Sequence, residues 1–105
     1  MDVRRIRNLV RHGNYEFSIH AEKERQADKI TVLELEVALV NCELVEDYPN
    51  DPRAPSCLVL GFCNDQPIHV VCAMKESPQE VLLITVYDPS KRPDKWTDKY
   101  RKRRE

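Results

Sequence analysis

Three apolar runs in the second half of the chain constrain its fold more than any other feature. They occupy residues 56–63, 67–74 and 81–87, and aliphatic side chains dominate each of them. Runs of this length, bounded by turn residues, are typical of strands that are buried on most of both faces. Because the segments between the runs are short, we expect antiparallel neighbours in a meander. An alternating segment over residues 43–48 adds a fourth strand.

The first half of the chain predicts helices. Apolar spacing predicts a helix over residues 2–12, and residues 15–18 alternate like a short strand. Ser18 is a candidate N-cap for a second helix from His20 to Lys29. Thr31 and Glu34 form a capping-box pattern that opens a third helix.

The third helix is predicted to pack on the sheet, because its apolar face is broad. One stripe holds Leu33, Val37 and Val40, and a second stripe beside it holds Val32, Leu35 and Leu39.

A chain of 105 residues is sized for one domain. We divide it into an N-terminal helix (1–14), a core (15–89) and a basic tail (90–105), in which Trp96 and Tyr100 are spaced to anchor a short helix. The predicted fold class is α+β, a small antiparallel four-stranded sheet with helices packed on one face.

Composition restricts the setting of the protein. The chain has no apolar stretch of about 18 residues that could span a membrane, and no apolar segment follows its basic N-terminus. We therefore expect a cytoplasmic protein. The four cysteines show no C-x-x-C pairing, which predicts buried free thiols rather than zinc ligands or disulfides.

Charge is distributed unevenly along the chain. Residues 1–12 hold four arginines and one aspartate, and residues 91–105 hold eight basic and three acidic groups, whereas the residues between them carry a net −9. Basic ends on an acidic body predict an anion-binding surface if both ends fold to one side. The alternative is that both ends are simply solvated.

Two histidines are candidates for acid–base chemistry. His20 begins a polar helix with Glu24 one turn further on and Arg25 beside it, which is a set suited to proton transfer next to an anion. His69 interrupts an apolar strand, and the next strand carries Tyr87. The alternatives are a surface role for His20 and, for His69, a buried ring that is hydrogen-bonded to backbone or to Tyr48.

Arginines and aromatic residues are candidates for RNA binding. Arginine binds phosphate in a bidentate manner, and an aromatic ring can stack on unpaired bases. Trp96 could instead anchor the tail to the core. The candidates from the loop and the tail are Arg53, Trp96, Arg101, Arg103 and Arg104.

No motif indicates a nucleotide cofactor or serine hydrolase chemistry, since the P-loop, G-x-G-x-x-G and G-x-S-x-G patterns are all missing from the sequence. No histidine or acid spacing indicates a metal site either. We therefore expect neither a cofactor nor a metal.

The chain resembles the bacterial family called domain of unknown function 4258. The resemblance rests on Phe17-Ser-Ile-His-Ala21, Val45-Glu-Asp-Tyr-Pro49, Pro67-Ile-His-Val-Val71, Ile84-Thr-Val-Tyr-Asp-Pro89 and Lys95-Trp96. It implies relationship to the RelE and BrnT toxins and a cognate antitoxin partner. It also implies site roles for His20, Tyr48, His69 and Tyr87, while Arg25 stands one position away from the arginine of many relatives.

The sequence and the resemblance together predict a toxin of a type II toxin–antitoxin pair, acting on mRNA as a metal-independent endoribonuclease. The RNA 2′-hydroxyl would be the nucleophile, with His20 or His69 as the base and Glu24 as a less favoured one. The other histidine or Tyr87 would protonate the leaving oxygen. The alternative is a non-catalytic RNA- or protein-binding module of the same fold.

Overall fold

In the computed structural model, which describes residues 1–104, a five-stranded sheet carries three helices on one face. The helices are α1 (Val3–Arg11), α2 (Ile19–Ala27) and α3 (Val32–Leu39). The sheet strands are β1 (Tyr15–Phe17), β2 (Glu43–Tyr48), β3 (Ser56–Cys63), β4 (Gln66–Glu76) and β5 (Gln79–Tyr87). The radius of gyration is 12.8 Å, close to the roughly 13 Å of a folded domain of this length.

The predicted helix caps are confirmed. The Ser18 side chain accepts a hydrogen bond from the Ala21 N–H at the start of α2. At the start of α3, Thr31 and Glu34 each accept the backbone N–H of the other, which completes the capping box. These bonds satisfy donors that have no partner inside the helix, and so local chemistry sets where both helices begin.

The predicted four-stranded antiparallel sheet is wrong by one strand. Strands β2 to β5 do form the expected antiparallel meander, but β1 adds to the free edge of β5 in parallel orientation, giving the order β1-β5-β4-β3-β2. Tyr15 pairs with Val81 and Phe17 with Leu83. A free strand edge leaves backbone groups unpaired, and β1 satisfies them with a partner 66 positions away, which no local pattern reveals.

The helical face of the sheet forms the main hydrophobic core. α1 packs against α3 and β5, α2 against β5, and α3 against β3. In α3 the core-facing stripe is Leu35 and Leu39, both buried, whereas Leu33 and Val37 are exposed. The broad apolar face predicted for α3 therefore does not lie entirely on the sheet.

The C-terminal residues cover part of the second face, and the helix predicted there is wrong. Two 3₁₀ turns (Pro89–Lys91 and Pro93–Lys95) lead into a hairpin of β6 (Trp96–Thr97) and β7 (Lys102–Arg103). Asp98, Lys99 and Tyr100 have φ values of 52°, 52° and 73°, and this left-handed backbone reverses the chain. We call residues 96–103 the C-terminal hairpin.

The four cysteines are free thiols, and Cys42, Cys57 and Cys72 are buried. Burial raises the pKa of Cys57 to about 12 and that of Cys42 to about 11. Since the thiolate is the reactive form, these side chains behave as core residues. No helix within residues 1–104 has both the length and the apolar character required to cross a membrane.

Gly61 permits the close contact between β3 and α3. A Cβ atom at this position would overlap the backbone carbonyl of Ala38 in α3. We expect Gly61→Ala to lower the free energy of unfolding by about 1–3 kcal/mol, because backbone atoms have to move apart. Urea denaturation measures this change.

Gly13→Asn is the matched control. Gly13 has a φ of 77°, which asparagine tolerates, and nothing lies within 4 Å of its Cβ position. If Gly61→Ala is no less stable than this control, the close packing of α3 on β3 is wrong.

Candidate active site

A cleft of about 580 Å³ lies beside the end of β5, between α2 and the C-terminal residues. Acidic, basic and aromatic side chains line it together, which is the mixture that proton transfer next to an anion requires. The lining residues are Glu24, Ala27, Asp28, Tyr87, Asp88, Lys91, Arg92, Lys95, Trp96 and Arg103.

Two carboxylates, one in α2 and one at its C-cap, attach the helix to the end of β5. Glu24 accepts a hydrogen bond of 3.1 Å from the Val86 N–H, and Asp28 accepts one of 2.9 Å from the Asp88 N–H. The distance between the two acids along the helix matches the distance between the two N–H groups along the strand, because four helical residues rise about 6 Å and two strand residues about 6.6 Å. These N–H groups lie beyond the part of β5 that pairs with β1. The two carboxylates therefore supply hydrogen-bond acceptors for backbone groups that β1 does not reach.

His20 is the accessible histidine at this site. Its side chain is 67% exposed, and its Nε2 lies 3.2 Å from Glu24 Oε1, one helical turn further along α2. Because the Val86 N–H also holds Glu24, the carboxylate can orient the imidazole. The predicted association of His20 with Glu24 is therefore present, and Glu24 is the member of the pair that lines the cleft.

His69 is completely buried on the second face of the sheet. Its Nδ1 lies 3.0 Å from the Tyr87 hydroxyl, and its Nε2 lies 2.9 Å from the Tyr100 carbonyl oxygen. The Trp96 ring packs edge-on against it at 4.4 Å between centroids. With both nitrogens engaged and no exposed surface, His69 cannot reach a substrate, and so the hydrogen-bonded core histidine is the alternative that the structure favours.

Tyr87 lines the cleft and keeps its proton at neutral pH, because burial raises its pKa to about 12. His69 lies behind it, away from solvent. The two predicted residues are thus brought together, but only Tyr87 borders the open space.

The arginines of the C-terminal hairpin are paired with acids of β2. Arg101 bonds to Glu43, and Arg103 lies 2.8 Å from Glu46, which also accepts from the Tyr48 hydroxyl. These hydrogen bonds with Glu46 and Tyr48 raise the pKa of Arg103. The side chains predicted to bind RNA at this position hold the hairpin on the sheet.

Trp96 also has a structural position. It is 4% exposed, with His69 on one side and the Arg103 guanidinium 4.8 Å from its ring centroid on another. A ring enclosed in this way is not available for stacking on a base. Of the two interpretations of Trp96, anchoring the tail to the core is the one that matches its position.

Three other predicted arginines lie in different settings. Arg25 pairs with Glu22 and donates to the Ile30 carbonyl at 2.7 Å, which fixes the turn between α2 and α3. Arg53 pairs with Asp51 in the β2–β3 loop, at the opposite end of the sheet from the cleft. Arg104 is exposed and outside the cleft lining.

Of the cations that line the cleft, Arg103 was predicted from the sequence, whereas Lys91, Arg92 and Lys95 were not. Lys91 lies 3.4 Å from Asp28, whereas Arg92 and Lys95 form no ion pair with any residue of the described chain, 1–104. The sequence feature that could have located these cations is the spacing of Pro89 and Pro93. Each proline excludes a continuous helix and begins a short turn after β5. Within residues 1–104, Arg92 and Lys95 are thus the cleft cations without an ion-pair partner.

The fold and the cleft define an α+β protein in which a carboxylate paired with a histidine lines the same cleft as several cations. Residues 17–88 match the family described as Domain of unknown function (DUF4258), and because this match covers more than half of the chain, the protein belongs to that family. Comparison with curated proteins and with solved structures gives no match.

Acid pH should destabilise the protein through His69. Burial lowers the pKa of His69, so that the unfolded chain takes up this proton at a higher pH than the folded one. The free energy of unfolding should therefore fall as pH drops below about 6.5, by at most about 1.4 kcal/mol per pH unit. Urea midpoints measured between about pH 7.5 and 5.5 test this.

His69→Gln should show a smaller pH dependence, while His12→Gln, which changes an exposed histidine, should keep the original one. NMR titration of the wild-type imidazoles covers the case in which His69→Gln does not fold. A His69 ring that titrates at or above the ordinary histidine value would contradict the prediction.

Proposed function

We propose that this protein is a metal-independent endoribonuclease that cleaves mRNA at the cleft beside α2. The observation that carries the proposal is the pairing of His20 with Glu24, which lines the cleft together with Arg92 and Lys95, two cations that have no ion pair within residues 1–104. Phosphodiester cleavage requires a base for the nucleophile and positive charge for the phosphate, and this cleft offers both.

In the proposed reaction His20 removes the proton of the RNA 2′-hydroxyl, and the 2′-oxygen attacks the adjacent phosphorus. The bond to the 5′-oxygen breaks, leaving a 2′,3′-cyclic phosphate and a free 5′-hydroxyl. Glu24 orients His20 and offsets the charge of the imidazolium that forms. DNA lacks the nucleophile and is not cut.

The cations of the cleft stabilise the phosphate as negative charge develops on it. Arg92 offers a planar guanidinium, and Lys95 offers an ammonium that can protonate the leaving 5′-oxygen. Lys95 thereby takes the role that the sequence assigned to the second histidine or Tyr87. His69 has no part in the proposed chemistry, because it is sealed behind Tyr87.

Replacing His20 tests the proposal directly. We expect His20→Ala to slow cleavage of a long RNA by about 10²–10⁴-fold, the usual contribution of general acid–base catalysis. Products should carry cyclic-phosphate ends, and EDTA should leave the rate unchanged.

His12→Ala is the matched control, since it removes another exposed histidine, at the end of α1, and should retain full activity. Equal rates for both variants would exclude His20 as the base. Cleavage that disappears with EDTA would show that a metal takes part.

A non-catalytic RNA-binding module is the second candidate. It is favoured by the hydrogen bonds of Glu24 and Asp28 to the β5 backbone, which give both carboxylates a structural role. This alternative predicts a gel shift with intact RNA. The shift should weaken in Arg92→Ala and Lys95→Ala, while no cyclic-phosphate ends form.

The relationship to RelE and BrnT toxins and the cognate antitoxin also belong to the proposal. Ile19, which is 79% exposed, and Leu33, which is 70% exposed, are the apolar side chains that we propose for contact with the antitoxin. Growth arrest on expression, relieved by the product of an adjacent gene, would support a toxin–antitoxin pair, and growth unaffected by expression would count against it.

A further inference from the structure

The hydrogen bonds around His69 determine where its proton lies. The Tyr100 carbonyl oxygen, 2.9 Å from Nε2, can only accept, and so Nε2 must carry a proton. A completely buried imidazole without a carboxylate partner is neutral, which is also the direction in which burial moves its pKa. Nδ1 therefore has a lone pair and no proton.

The protonation state of His69 determines the direction in which the Tyr87 hydroxyl donates its proton. With Nδ1 as an acceptor 3.0 Å away, the Tyr87 O–H donates its only proton to His69. The phenol oxygen then retains acceptor capacity alone. A tyrosine in this arrangement offers nothing to a phosphate oxygen, which is also an acceptor, but can bind a hydroxyl or an amine.

The neighbouring charges do not reverse this assignment. The groups that act on His69 are the Arg103 guanidinium, which opposes its protonation, and the Glu46 and Asp88 carboxylates, which favour it. Arg103 is itself paired with Glu46, so that their effects on the ring largely cancel. Asp88 accepts from the Ser90 N–H and hydroxyl, and these bonds satisfy its charge locally.

We infer that His69 and Tyr87 together form a specificity-determining pair, in which Tyr87 accepts a hydrogen bond from a ribose 2′-hydroxyl of the bound RNA other than the one that His20 deprotonates. Tyr87 contacts the ligand, and His69 is a positioning residue that acts through it. The inference rests on the proposed function, because it requires RNA in the cleft. It adds a contact that distinguishes ribose from deoxyribose during binding, before any bond is broken.

Nucleoside 3′-monophosphates test the ligand contact, because they have no leaving nucleoside and cannot be cleaved. Ribose and 2′-deoxyribose forms are titrated into the wild-type protein and followed by NMR. We expect the ribose form to bind about 3- to 10-fold more tightly, the range of one neutral hydrogen bond. Tyr87→Phe should abolish this preference, because it should weaken binding of the ribose form only.

Lys95→Ala is the control, because losing a phosphate contact should weaken both forms by the same factor. Equal affinity of the wild-type protein for both forms, or a preference unchanged in Tyr87→Phe, would overturn the inference and leave the proposed cleavage standing. Absence of binding by either form and by long RNA would overturn both.

The positioning role of His69 has its own spectroscopic signature. Nitrogen-15 NMR of the imidazole should show Nε2 protonated and Nδ1 unprotonated at neutral pH, and Tyr87→Phe should shift the Nδ1 resonance towards that of a nitrogen without a partner. The opposite tautomer would overturn the inferred pair, and so would an Nδ1 resonance that is unchanged in Tyr87→Phe. Either result would count even if RNA is cleaved.

Discussion

The hydrogen-bonded ring of His69 is the interaction on which the second face of the sheet depends. It connects β5, through the Tyr87 hydroxyl, with the C-terminal hairpin, through the Tyr100 carbonyl, while Trp96 packs against its edge. A buried imidazole is tolerated because both nitrogens have partners, and losing either partner would leave an unsatisfied polar atom in an apolar site. The hairpin that it holds forms one wall of the cleft, so that a core interaction shapes the candidate site.

The carboxylates of α2 show how structure and chemistry share the same residues. Glu24 and Asp28 accept hydrogen bonds from backbone N–H groups at the end of β5, which fixes the helix against that strand. The same bond holds Glu24 in position to orient His20. A carboxylate that is itself held in place can keep an exposed histidine in one orientation, since the hydrogen-bond partner of a reacting group sets its geometry.

Local chemistry explains why much of the fold was predictable. The caps at Ser18 and Thr31 and the meander of β2 to β5 depend on neighbours in sequence, and all were expected correctly. Of the candidate residues, Glu24 and Tyr87 line the same cleft, and His20 pairs with Glu24. Arg25 and the hairpin arginines were expected at a phosphate. Arg25 instead pairs with Glu22 at the i,i+3 spacing of a helix, which the sequence does show, whereas the hairpin arginines pair with acids of β2 that no spacing rule reveals.

By itself the sequence determined the α+β class, the start of two helices and the presence of histidines able to carry chemistry, because periodicity and capping act over a few residues. The tertiary structure alone decided that β1 joins β5, that the tail folds back as a hairpin, and that His69 is enclosed while His20 is accessible. These outcomes depend on which distant backbone and charged groups satisfy one another. That choice is settled only when the whole chain packs.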